Sequence, residues 1–502
     1  MDVPTHASAG DRSAHLSQRR SRWFALAAIL VLAAALRLYG LHNPILDHPG
    51  WRQGDEAAIA RNFAQLQNDI FSPQVDYDGP PPNYVELELQ IVPYLAAQAY
   101  RAFGVHEVIA RLLVIVFSLA TLPLVYLLGK QMYCARAGLI AALLFAIAPG
   151  AVYYGRAILP ESDMLFFGCA ALLLWWRWLT RWRPLDLAGA VLGASLAWLA
   201  KPPALLLLIP MAVLALVRAR EGPPRNRWLS ASLVLSLLPL WLYLGHAHAI
   251  AEWHWASGIT SKHVLPTLLR ELSSPASILT GLQSALALLK MLDSTVLGPF
   301  LFGALVLAMF AQPAGRPDGG RSWFFAAWFL ALAAYTFAVV NVERVDYYLI
   351  WFIPFAVLYA GGAIDNVLSL VGPAGTGGWR AISAGLAALF VVTYVSMLEI
   401  HPYYTWSRPV YAAAGELRMT LEPDTLIVMA HYDPSVLYSI GHRGWEEDAL
   451  LWNVHDMTSA VAKGARYLVA IEVPRFKANK QLYRFMQRYR RVPVRSGWQV
   501  YD

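Results

Sequence analysis

Apolar runs recur along nearly the whole chain, near residues 23–39, 107–129, 137–154, 162–178, 185–200, 203–217, 228–249, 294–312, 322–340, 346–366 and 380–400. A bilayer's hydrocarbon core is crossed by about 20 helical residues rising about 1.5 Å each. The pattern therefore predicts roughly eleven membrane-spanning helices. Lipid offers no partner to a free N–H or C=O, so segments that meet it must close their hydrogen bonds internally, as helices do. Composition agrees: 57% of residues are hydrophobic and 15% charged, against an apolar share of roughly 45–50% in soluble domains. The expected fold class is an α-helical polytopic membrane protein with a small C-terminal α/β domain. Its expected parts are a polar, basic tail (1–22), a membrane domain (23–402) and an extracytoplasmic domain (403–502).

The net charge of +7 is an orientation signal rather than a nucleic-acid one, because the basic residues sit in short loops. Lys130 and Arg136, then Arg177, Arg181 and Arg183, then Arg218, Arg220, Arg225 and Arg227, then Arg316 and Arg321, then Arg380 fall on one side. Positive charge marks the cytoplasmic side. That puts 42–106, 155–161, the Lys201 turn, 250–293, 341–346 and everything after His401 outside. Arg19, Arg20 and Arg22 precede the first run, but no small-residue cleavage site follows, so it reads as a retained span. Cys134 and Cys169 have neither metal-site nor disulfide spacing. No repeat, Gly-rich phosphate loop, Walker sequence or nucleophile elbow occurs, which leaves no sign of nucleotide hydrolysis.

After Pro402 the pattern changes. Thr425–Ala430 and Tyr467–Ile471 have strand length, and Val492–Tyr501 reads as a hairpin around Ser496-Gly497. Asp456 is a candidate cap for a helix ending near Gly464, and Lys480–Tyr489 reads as a basic helix. His431-Tyr432-Asp433-Pro434 follows a strand, where open α/β sheets bind ligands; Asp433-Pro434 equally suits a helix start.

The first external loop concentrates acid: Asp47, Asp55, Glu56, Asp69, Asp76, Asp78, Glu86 and Glu88 lie between Leu41 and Gln90. Gly54-Asp55-Glu56 precedes AAIARNFAQLQ, a good helix former, which places the pair at a helix start. Neighbouring helical side chains point about 100° apart, so one carboxylate would react while the other positions; Asp55 as a plain helix cap is the alternative. Candidate partners across the same face are Arg52, Arg61, Arg156, Lys201, Lys262, His263 and Arg344. Lys201 stands in Trp198-Leu199-Ala200-Lys201-Pro202-Pro203, where the prolines break the helix and free backbone groups. Such a place suits a lipid phosphate, or a snorkelling lysine. Arg156 opens a turn that also holds Glu161 and Asp163, and Asp163 could cap a helix or pair with Arg156. Arg344, Tyr347 and Tyr348 precede the tenth span. His246, His248, Glu252, His254 and His263 have the residue types for zinc but match no closed zinc site. The 256–293 segment reads as a mobile loop that admits the acceptor.

Gly54-Asp55-Glu56, then Ala60-Arg61-Asn62-Phe63, the Pro80-Pro81-Pro82 turn, Tyr84 and Glu86, and Phe103-Gly104 before Glu107 and Arg111, resemble the first external loop of GT-C glycosyltransferases. The likeness is to family 39, which includes protein O-mannosyltransferases and lipid A aminoarabinose transferases. The Lys201 segment is similar to that family's leucine-threonine-lysine-glycine turn, with alanine and proline in two of the places. The resemblance implies transfer of a sugar from a polyprenyl phosphate to a hydroxyl of an envelope glycolipid, glycan or protein. It gives Asp55 the catalytic role beside Glu56, with Arg52, Glu86, Arg156, Glu161, Lys201, His263, Arg344, Tyr347 and Tyr348 binding substrate. It implies a bacterial inner-membrane location and no cofactor, with a divalent metal as the lesser option. A transporter or lipid flippase is the rival reading, since it too places charges and broken helices around a cavity.

Overall fold

A computed structural model of the 502-residue chain describes residues 9–219, 226–251, 265–310, 319–371 and 378–502. The apolar runs are helical. In chain order the first elements are α1 (Ala9–Leu38), α2 (Gly50–Gln65), α3 (Ile91–Phe103), α4 (Glu107–Met132), α5 (Ala135–Ile147), α6 (Pro149–Tyr153), α7 (Glu161–Arg181), α8 (Pro184–Ala200), α9 (Leu208–Ala219) and α10 (Asn226–Ala251). Helices Pro275–Ala287, Pro299–Phe310, Gly319–Tyr335, Phe352–Val371 and Gly378–Ile400 follow. Among the described residues, 8 helical segments are long and apolar enough to cross a membrane, and Ala135–Ile147, Pro184–Ala200 and Pro299–Phe310 are shorter apolar helices. α7 packs between α4 and α8, and Trp198, Trp328 and Trp351 are fully buried within the bundle.

The span pattern differs from expectation in three places. Pro275–Val296, expected to be loop, is an apolar helical segment of 22 residues; Ser274 caps it by accepting from the Ser277 amide, and Pro275 supplies a preset first turn. The run 137–154 is two helices, because Pro149 cannot continue α5 and restarts the chain as α6. The tenth run begins helically at Phe352, and Asp346–Leu349 ahead of it winds as a tight 3-10 turn.

The C-terminal region is a five-stranded sheet in the order β2-β1-β3-β5-β4, with β1 (Leu426–Met429), β2 (Arg443–Glu446), β3 (Ala465–Ala470), β4 (Arg491–Val492) and β5 (Gln499–Tyr501). β1 runs parallel to β2 and β3, while β5 is antiparallel to β3 and β4. Thus both expected strands and the hairpin form. β2 escaped sequence reading because Arg-Gly-Trp-Glu has no β-branched residue. Gly444 is needed there: at φ 151° a Cβ would stand 1.9 Å from the Ile427 carbonyl oxygen. The helix Val454–Ala462 is capped by Asn453, whose side chain accepts from the Asp456 amide, so Asp456 lies in its first turn instead of capping it. The basic helix is shorter than expected, Lys480–Met486.

This region is joined to the first loop through main-chain bonds. The Gly444 amide donates to the Asp76 carbonyl (2.8 Å) and the Gly79 amide to the Gly444 carbonyl (2.7 Å). α2 lies against the helix Pro434–Ile440 so closely that a Cβ on Gly54 would stand 2.6 Å from the Ser435 backbone nitrogen.

Candidate active site

Pro49 fixes the entry into α2, and the helix starts at Gly50. Asp55 and Glu56 therefore lie in its second turn, not at its start, and neither caps it. Helical geometry sends them to different neighbours. Glu56, 1% exposed, approaches Arg52 one turn earlier at 2.8 Å. Arg52 also pairs with Glu88. The chain at Glu88 is pinned to the bundle: its carbonyl accepts from the Tyr243 hydroxyl (3.1 Å), and the Leu89 amide donates to the Leu199 carbonyl (2.8 Å).

That last bond brings the loop to the break between α8 and the 3-10 turn Pro202–Leu207. Lys201, 6% exposed, occupies the break and forms an ion pair with Glu161 at the start of α7. Its ammonium lies 4.6 Å from the Tyr347 ring centroid and 4.9 Å from that of Tyr348, within cation–π range. Arg52, Glu56, Glu88, Glu161, Lys201, Tyr347 and Tyr348 thus form one polar cluster, with Glu56, Glu161 and Lys201 buried and the others partly buried. Burial acts to raise Glu88, but Arg52 and Lys201 prevail and hold its carboxyl below the ordinary value. Burial pushes Glu56 well above the carboxylate range, opposed by Arg52 and reinforced by the Glu88 charge.

Asp55 turns toward the C-terminal region. Burial raises it to about 7, against the pull of Arg52 and a hydrogen bond from the Tyr77 phenol; Asp76 and Asp433 add to the rise. Its Oδ1 is buried without a hydrogen-bond partner. Glu446, at the end of β2, is pushed up to about 10 by burial and then by the carboxylates Asp55, Asp433 and Asp76. Asp433 does cap its helix, accepting from the Ser435 amide at 3.0 Å. No ion pair joins Asp55 to Lys201 among the described residues; Arg52 is the group that both carboxylates of the pair share.

Other expected site residues lie elsewhere. Arg156 is fully buried and pairs with Asp47, which also pairs with Arg111 (3.2 Å). It thus belongs to a separate ionic cluster, and Asp163 is not its partner. Glu86 faces His248 at 3.0 Å. Arg344 donates to Ser284 and to the Asn341 carbonyl. Arg61 pairs with Asp76 and stacks on Tyr438. His263 and Lys262 lie outside the described residues, as do Glu252 and His254. Among the described residues no group of three His, Cys, Asp or Glu could hold a metal ion.

Some groups in the cluster were not singled out from sequence. Glu88 carried no motif beyond its share of the acidic loop, and Tyr77 and Glu446 gave no signal, since only the fold brings them to Asp55. Asp346 accepts from Tyr154 (2.5 Å), Tyr403 (2.7 Å) and Thr295 (2.9 Å). It thereby fixes the turn that presents Tyr347 and Tyr348; its place directly before the tyrosine pair was the available hint. A cavity of about 860 Å³ lies apart, lined by Tyr411, Glu416, Arg418, Met419 and Arg495 among others, and shares none of the clustered residues.

Residues 90–244 match the family described as dolichyl-phosphate-mannose-protein mannosyltransferase. An uncharacterized protein of Aquifex aeolicus (strain VF5) is 25% identical over 194 residues, 38% of this chain and 37% of that protein's length. ArnT from Cupriavidus metallidurans bound to undecaprenyl phosphate superimposes with a TM-score of 0.63 at 14% identity, covering 95% of this chain and 97% of that one. The oligosaccharyltransferase AglB from Archaeoglobus fulgidus, in complex with an inhibitory peptide and a dolichol-phosphate, gives 0.54 at 16% identity, covering 90% and 69%. The chain is a multi-pass membrane protein with the GT-C glycosyltransferase fold.

Proposed function

We propose that the protein transfers a sugar from a polyprenyl-phosphate donor to an acceptor hydroxyl, at the outer face of a bacterial inner membrane. The observation that carries this reading is the cluster itself: Lys201, buried over the rings of Tyr347 and Tyr348, and the partly buried Arg52, on the same helix as Asp55, which keeps an unpartnered oxygen. The bound undecaprenyl phosphate of the ArnT relative and the dolichol-phosphate of AglB support a lipid phosphate as the donor's carrier.

In the proposed step, Asp55 takes the proton of the acceptor hydroxyl, whose oxygen bonds to the anomeric carbon as the bond from that carbon to the phosphate oxygen breaks. The polyprenyl phosphate leaves with the electron pair. Lys201 and Arg52 offset its charge, and the Tyr347 and Tyr348 hydroxyls are donors within the same cluster. A base titrating near 7 is well matched to such a step, and Glu56 holds Arg52 in place. The reaction as written draws on no cofactor.

The test is Asp55→Asn, assayed by mass spectrometry of envelope glycolipids, glycans and glycoproteins from cells that lack the native gene product and carry either form. Loss of one sugar modification at normal protein level is expected. Full modification by the variant would remove Asp55 from the role of base.

A further inference from the structure

Positive charge gathers at the end of the chain. Residues 473–502 hold eight basic side chains and one acidic one, Asp502, and all eight cations are exposed. Arg475 pairs with Asp448 and Arg490 with Asp502. Among the described residues, Lys477, Lys480, Arg484, Arg488, Arg491 and Arg495 have no acidic side chain within ion-pair distance. Lys480 and Arg484 stand four positions apart on the helix Lys480–Met486, whose Leu482 and Met486 are buried against the sheet. Arg488 follows in the next turn, where its amide donates to the Phe485 carbonyl (3.2 Å). The three make a row along the outward side of this helix.

Helix stability does not account for the row. Like charges four positions apart repel one another, and a cation in the first turn, as Lys480 is, opposes the helix dipole. Protection of a sheet edge accounts for Arg491 alone, which lies on the edge strand β4, where charge blocks pairing with another sheet. The row's place in the fold separates it from the donor. One face of the sheet is covered by the helices Arg408–Thr420 and Pro434–Ile440 together with Leu46 and Tyr77 of the first loop. Lys480–Met486 lies on the other face, and β4 is the edge opposite β2, the strand to which the first loop is bonded. The row therefore meets what approaches from outside.

We infer that Lys480, Arg484 and Arg488 bind a linear anionic glycan of the cell envelope, one that carries a phosphate or carboxylate on successive units. Cations four residues apart repeat every 6 Å or so along a helix, so a polymer with regularly spaced anions engages the whole row where a single small anion engages one member. Arginine forks take phosphate or carboxylate two-pronged. Outside a membrane, the polymers of this kind are glycans. The bilayer surface is the competing polyanion, and the first loop packs on the opposite face of the sheet. The inference rests on the outer-face placement proposed above and adds a partner that is held apart from the reacting groups.

The test is equilibrium binding by the full-length protein in phosphatidylcholine nanodiscs, with fluorescent polygalacturonate, poly(glycerol phosphate) and neutral dextran as probes. At least one polyanion is expected to bind, more weakly as salt is added. The triple variant Lys480→Gln, Arg484→Gln, Arg488→Gln should bind about tenfold more weakly, with a melting curve to report that it is folded. Arg19→Gln, Arg20→Gln, Arg181→Gln, which removes three exposed cations elsewhere, should bind as the parent does. The inference is overturned if neither polyanion binds, if dextran binds as tightly, if both triple variants lose affinity equally, or if phosphatidylglycerol vesicles bind the row more tightly than either polymer. Gln481→Cys in intact cells should react with a membrane-impermeant maleimide; no reaction places the row inside and overturns the glycan as partner. None of these readouts involves transfer, so failure of Asp55 as the base leaves them unchanged.

Discussion

Two ionic clusters are built from the same kinds of residue a short distance apart in sequence, and they are finished differently. Around Asp47 both carboxylate oxygens are taken. Oδ1 receives Arg111 (3.2 Å) and Gln53 (2.8 Å), and Oδ2 receives Arg156 and Asn43 (3.2 Å). The Asp47, Arg111 and Arg156 side chains are wholly buried. Around Asp55, Arg52 and Lys201, by contrast, Asp55 Oδ1 and Glu161 Oε2 are buried with no partner. The Asp47 carboxylate is fully engaged and leaves only donors, Arg111 Nε and Arg156 Nε, buried without a partner, while the second cluster leaves acceptors open, each at a cost of about 1–3 kcal/mol. The first cluster therefore anchors the loop to the bundle, and the second holds capacity for a substrate.

The sharpest way to break this contrast is Asp55→Asn, expected to lower turnover by about 10²–10⁴, the usual contribution of a general base. Its fold should stay intact, and a kinetic assay paired with a melting curve reads both. Asp47→Asn should do the opposite, costing about 3–5 kcal/mol of stability because Arg111 and Arg156 are left facing a neutral group; this is measured as lost thermal stability in detergent. Lys201→Met, combined with Glu161→Gln so that no lone charge is buried, should cost about 10²–10³ in turnover with little change in melting.

The pH profile is the next test. Asp55 must be ionised to accept a proton, and burial raises it to about 7. Turnover should therefore fall about tenfold per pH unit below 7 and level off above it. The stability effect has the reverse sense. Between about pH 4 and pH 7 the folded state keeps a proton that an unfolded aspartate, with pKa about 3.9, has lost. Stability from this group declines as pH rises through that window, and Asp55→Asn should remove the decline. The smallest expected effect is that of Tyr77→Phe. Its hydroxyl lowers the Asp55 pKa, so the variant's profile should move upward by about half a unit, worth under about 1 kcal/mol.

The helical body was readable because membrane spans write their length and apolarity directly into sequence. The helix break at Lys201 was readable too, since two prolines follow it, but its counter-ion Glu161, 40 residues earlier, was not. Arg156 was misplaced for a physical reason: its partner, Asp47, lies 109 residues away, and motif position says nothing about which of several acids a buried guanidinium meets. Arg344 shows the same limit, because its side chain is claimed by Ser284 from a segment expected to be a loop. Asp55 and Glu56 were correctly separated in direction by helix geometry, although the helix begins earlier than the Gly-Asp-Glu motif suggested. The carboxylate Glu446 was not foreseeable, since it reaches Asp55 only through a strand with weak sequence character.

The paired amide bonds between Gly444 and the Asp76–Gly79 segment use backbone atoms alone. Substitutions that keep the backbone path leave such bonds in place, so this part of the seam tolerates exchange of side chains on both of its sides. Chimaeras that draw residues 41–90 and 403–502 from different parents should keep the two bonds, and their failures should trace to side-chain contacts across the seam, such as those of Arg443 with Asp76 and Asn62 and of Arg61 with Tyr438.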